Sequence, residues 1–183
     1  MKNVLGVAVL LACSALSFAQ AKDAPKTITS ILDGGIKNVE SEFVPAAEAM
    51  PEDKYGFAPT SGEFKGVRTF GEQVKHVAAV NYMVAAAILG EKSPVDLGGE
   101  NGPENIKSKA DIVKFIKDSY VYAHKAVATI TPENATGEVA LPFGKFTRMG
   151  LGMLVTAHSF DHYGQMAVYL RMNGIVPPAS RGQ

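Results

Sequence analysis

Two histidines four residues apart, His158 and His162, sit in the apolar run TRMGLGMLVTAHSFDHYGQMAVYLRMNGIVPP of this 183-residue chain. At about 100° per residue they share one helix face with Leu151, Leu154, Val155, Gln165, Tyr169 and Met172. An imidazole in an apolar stripe needs a hydrogen-bond or metal partner, and the i,i+4 spacing aims both rings at one point. A third histidine, His76, lies on the stripe Gln73, His76, Ala79, Val80, Met83 and Ala87 of another helical run. Three neutral imidazoles with one open position are a common catalytic zinc set, and nickel also favours imidazole. The metal candidates are therefore His76, His158 and His162. His124 falls about 120° from Ile112 on its own helix wheel, beyond the apolar arc, and is expected to be peripheral. Asp161 and Gln165 are the nearest candidates for proton transfer, or for holding a histidine tautomer from behind. The zinc-protease pattern HExxH is excluded, because Ser159 stands where the glutamate base would be.

The helix carrying the pair reads as central. Its other flank, with Met153, Ala157, Phe160, Gly164, Ala167 and Leu170, is almost as apolar. Gly164 predicts close approach of a neighbour beside His162 and Gln165, and Gly174 with Pro177 and Pro178 marks the stop. His76 belongs to a helix opened by Thr69 and Glu72 in capping-box spacing and closed by Gly90. A third helix follows Ser108 and Asp111, with Ile112, Phe115, Ile116, Ser119, Ala123, Ala126, Val127 and Ile130 inward. A first amphipathic helix runs through Ile28, Ile31, Leu32, Gly35, Ile36, Val39 and Phe43, and Pro45 is expected to end or bend it.

The connections are long. MPEDKYGFAPTSGEFKGVR and EKSPVDLGGENGPENIK show neither period and read as loops, the second placed to cover the site. GEVALPFGKF is too short to make a sheet alone and is read as loop. The fold class is therefore all-α, a four-helix bundle with long loops.

Composition limits the partners. A hydrophobic content of 46% suffices for one core, and the formal net charge of +0 gives no electrostatic case for nucleic acid or an anionic membrane. Residues 1–21 have Lys2, an apolar run from Val4 to Phe18 and small residues at Ala19 and Ala21, the layout of a signal peptide. The expected domain is 22–183, exported to the periplasm or beyond, with no membrane span in the mature chain. The lone cysteine, Cys13, lies inside the signal, so mature-chain chemistry uses no thiolate; a lipoprotein site at Cys13 is the lesser alternative.

The APT loop at 58–60, VRTFGEQVKHVAAVNY and HSFDHYGQMAVYLRMNGIVPP together resemble the DinB/YfiT-like superfamily of metal-binding four-helix bundles. The resemblance implies a metal triad at His76, His158 and His162. Tyr163 stands where that family often carries arginine. It also implies either a metal-dependent hydrolase or a transferase using low-molecular-weight thiols, on an unknown small-molecule substrate. Export disfavours the thiol route. The alternative is an exported bundle that binds metal or a partner without catalysis, and the apolar second and last helices are compatible with a homodimer.

Overall fold

The computed structural model describes residues 26–182. The expected signal segment and Cys13 lie outside them. Four long helices form the body: α1 Ile28–Ala49, α2 Phe70–Leu89, α3 Lys109–Val127 and α4 Arg148–Met172. Short 3-10 turns occupy Glu52–Lys54 and Pro178–Ser180. No described helix is long and apolar enough to cross a membrane.

The helix starts follow from their caps. Thr69 and Glu72 form the full capping box of α2, and Ser108 accepts from the Asp111 amide at the head of α3. Thr27 and Ser30 form a further box at α1. Gly90, at φ +72°, adopts the left-handed cap that closes α2. Pro45, expected to end or bend α1, does not end it, for the helix continues to Ala49. The flanking buried residues Phe43, Val44, Ala46 and Ala47 explain this, since burying an apolar side chain contributes about 1.5–3 kcal/mol against about 3 kcal/mol for an interior proline.

Contacts between helices fix their directions. Leu32 meets Gly152 and Gly35 meets Thr156, so α1 and α4 run the same way. Gly71 meets Ile112 and Asn81 bonds Ser119, so α2 and α3 also run parallel. Gln73 bonds Gln165 while Arg148 donates to the Ile88 carbonyl, which makes the α2–α4 seam antiparallel. Thr29 reaches the Ile130 carbonyl and Phe43 packs edge-on to Tyr120, which makes α1–α3 antiparallel. The core is the shared interior, with Ile36, Phe43, Phe70, Ile88, Ile116, Tyr120, Leu151 and Met166 fully enclosed. Because α2 and α3 are parallel, the chain between them must return along the whole length of α2, about 30 Å for its 20 residues.

Three expectations are corrected. The segment read as loop before α4 forms a hairpin, β1 Glu138–Leu141 paired antiparallel with β2 Gly144–Thr147. It does not stand alone: the Met149 and Arg148 amides bond the Ala135 and Gly137 carbonyls, tying its ends to the bundle. The second flank of α4 is not central along most of its length, for Met153 is 58% exposed and Ala157 and Gly164 are exposed, and only Leu170 at its end is buried. Gly164 faces open space, and the close approach falls instead at Gly152, where an added Cβ would lie 3.0 Å from a Leu32 methyl. An amphipathic count finds an apolar face but does not say whether another helix covers it.

These two glycines should respond oppositely. Gly164→Ala is expected to stabilise by about 0.5–1 kcal/mol through helix propensity, and Gly152→Val to destabilise by about 1–3 kcal/mol through overpacking. Urea unfolding of both variants checks this; equal responses would contradict the packing described.

Candidate metal centre

The antiparallel α2–α4 seam brings His76 of α2 to His158 and His162 of α4. The Nε2 atom of His158 lies 3.2 Å from that of His76 and 3.2 Å from that of His162. One ligand atom from each ring falls within 4.8 Å of the other two. His162 is buried, and the other two rings are partly buried.

The far side of each ring decides what the near side offers. His76 Nδ1 lies 2.7 Å from the Glu100 carbonyl oxygen and therefore donates to it. His162 Nδ1 bonds Gln73 Oε1, again an acceptor. Both rings so turn an Nε2 lone pair toward His158. That ring has a single Nε2 to meet both contacts, and its Nδ1 is buried without a hydrogen-bond partner in the described residues. The cluster holds at most one proton for two short nitrogen contacts, or none. A divalent cation fits this donor set: nitrogens about 2.0–2.1 Å from a tetrahedral zinc lie about 3.3 Å apart.

Electrostatics point the same way. Burial first, then the neighbouring His158 and His76 rings and the Arg68 guanidinium, depress His162 to about 3. Burial, the His76 ring and Arg68 bring His158 down to about 4, against an opposing pull from the Asp161 carboxylate. His76 is lowered by burial and by Arg68, with Glu100 opposing. The three rings are thus held neutral, as ligation requires.

Glu100 comes from the return loop 91–107, which was expected to cover the site. Its turn is pressed onto α2: Gly98 and Gly102 have φ of +63° and +75°, and a Cβ on Gly102 would lie 2.6 Å from the Lys75 Cβ. Lys75 donates to the Pro103 carbonyl at 3.0 Å, and Asn101 donates to Glu72 at 3.2 Å. Arg68 grips Glu100 twice, at the carboxylate (2.9 Å) and at the carbonyl (3.2 Å). A cation therefore stands near the site although Tyr163 occupies the position where arginine was sought. Sequence reading missed Arg68 because it lies before the α2 cap, off any helical face.

Asp161 and Gln165 are brought to the site's edge, where Gln165 donates to Asp161 at 3.3 Å and accepts from Gln73 at 2.9 Å. His124 lies apart from the cluster but is not a bystander: its Nδ1 is 2.6 Å from Asp33 and its Nε2 3.0 Å from Glu40. It ties α3 to α1.

The sequence matches the DinB superfamily over residues 36–166. The chain belongs to the DinB superfamily. A DinB-like protein from Bacillus subtilis superposes with a TM-score of 0.61 at 21% identity, covering 79% of this chain and 92% of that one. A DinB-like protein from Bacillus cereus gives 0.60 at 17% identity, over 80% and 95% of the two chains. An uncharacterised protein from Escherichia coli gives 0.59 at 14%, over 83% and 97%. At these identities the likeness establishes the DinB fold alone. No curated protein matches this DinB chain.

A histidine whose folded pKa lies below its unfolded value near 6.5 binds fewer protons in the native state. In the metal-free DinB protein the contribution of these rings to stability is therefore fully present above pH 6.5 and is lost as the pH falls toward 3, with His158 at about 4 and His162 at about 3 setting the window. Urea midpoints between pH 7.5 and 4.5 measure this, and His158→Leu should flatten the curve. A variant curve parallel to the parent's would contradict it.

Proposed function

We propose that this chain is a metal-dependent enzyme holding one divalent transition metal, zinc or nickel, on His76, His158 and His162. The observation that carries the reading is the meeting of three neutral Nε2 donors, one of them on His76, which lines a cavity of about 400 Å³. The cavity is walled by His76, Ala79, Val80, Met83, Leu97 and the 98–100 turn. Its lining suits a small, largely uncharged substrate. When bound, such a metal supplies Lewis acidity toward a carbonyl oxygen or a water molecule. The chain's own part is to keep the rings neutral, exclude water with the return loop, and admit substrate beside His76.

Hydrolysis is favoured over thiol transfer because export, read from Lys2 and the apolar run Val4 to Phe18, separates the protein from cytosolic thiols. Homodimerisation through α4 belongs to the same reading, on the exposed Met153, Val168 and Met172 side chains.

Metal analysis of the purified protein and its single histidine-to-alanine variants is the first test. His158→Ala should lose the metal, and His124→Ala should keep it. Zinc- and nickel-loaded forms are then screened on small esters and amides, and on electrophiles with added thiol. Turnover abolished by chelator and by His158→Ala supports an enzyme; metal bound with no turnover in any form leaves the non-catalytic metal-binding alternative. A single protomer mass at high concentration would refute the dimer.

A further inference from the structure

The hydrogen bonds behind His162 form a chain with a direction. Asp161, exposed on α4, has a carboxylate that only accepts. Gln165, one turn on, must therefore present its amide NH2 to Asp161, at 3.3 Å, which turns its Oε1 toward α2. There it accepts from Gln73 Nε2 at 2.9 Å. Gln73 is 1% exposed, and with its NH2 committed only its Oε1 is left to face His162 Nδ1. The ring must then donate from Nδ1, and its lone pair falls on Nε2, toward His158. Glutamine orientations are ordinarily ambiguous, because oxygen and nitrogen are alike in shape. Here a carboxylate at the outer end removes the ambiguity for every member.

We propose that Gln73 is the positioning residue that fixes the His162 tautomer, and that Asp161, acting through Gln165, sets the orientation of the Gln73 amide. The inference rests on the metal reading of the cluster for its purpose, but the chain itself stands on the hydrogen bonds. Its geometry separates the ligands into two kinds. His76 and His162 are preset through their Nδ1 atoms, one by a main-chain carbonyl and the other by Gln73. His158 has no such partner in the described residues. Loss of Gln73 therefore removes the only side chain among the described residues that presets a ligand.

The test has two readouts, neither of them turnover. Imidazole 15N shifts of the metal-free protein at pH 7.5 report the tautomer of His162, and zinc affinity is measured by chelator competition. The parent should show His162 as the Nδ1–H form. Gln73→Leu, similar in volume, should lose that single tautomer and bind zinc about 10–100-fold more weakly, the range for groups that hold a ligand from behind. Gln73→Glu, which can still only accept from Nδ1, should keep the tautomer. Asp161→Asn, at an exposed position, frees the chain to run either way and should give a mixed His162 tautomer. A pure Nδ1–H form in both Gln73→Leu and Asp161→Asn would overturn the proposal. If the parent binds no zinc, the metal reading fails, while the tautomer measurement still decides the role of Gln73.

Discussion

Imidazole rings that meet nitrogen to nitrogen inside a protein disfavour one another's charge, and the nitrogen each neutral ring offers depends on what occupies its other side. Here two rings have an occupant, a main-chain carbonyl in the return loop for His76 and a glutamine on α2 for His162, while His158 has none among the described residues. Burial makes the charged forms costly, and mutual proximity adds to that. The antiparallel α2–α4 seam has to satisfy these conditions while also closing the core. Its polar residues, Gln73, His76, His162 and Gln165, are consequently bonded to one another or to the loop.

Topology supplies the rest. Two adjacent helices that run parallel oblige the chain to travel back outside the bundle, and that passage takes the return loop past His76. The Gly98 and Gly102 turn allows the backbone to lie against Lys75, and Arg68 and Glu72 hold it there. The cavity beside His76 is the space left between this loop and the Ala79, Val80 and Met83 face of α2. The crossover thus shapes the pocket as well as covering the histidines.

Much of this was legible in the sequence because it is local. Thr69 with Glu72, Ser108 with Asp111, and Gly90 announce helix ends through hydrogen bonds spanning only a few residues. The inward stripe of α3, from Ile112 to Val127, is buried as its period predicts, while Ile130, expected on the same helix, is buried beyond its end. The convergence of His76 with His158 and His162 followed from faces as well. What escaped depends on which helices are neighbours. The exposed flank of α4 and the open side of Gly164 look the same in sequence as a packed face. Gln73 was visible on the His76 face, but its role needs the register that sets it opposite Gln165. Pro45 does not end α1 because local propensity was outweighed by the buried residues around it, and the hairpin escaped because its pairing is anchored by the bundle.

The bond from Glu100 to His76 uses a carbonyl oxygen, which every residue type possesses. Substitution at position 100 would leave that acceptor in place, losing only the carboxylate that Arg68 holds. Its persistence depends on the number of residues between Gly90 and Ser108, which fixes what part of the backbone passes the ring. A comparison of relatives by residue identity at this position would therefore undervalue it; insertions and deletions in the 91–107 segment are the changes that carry information about the site.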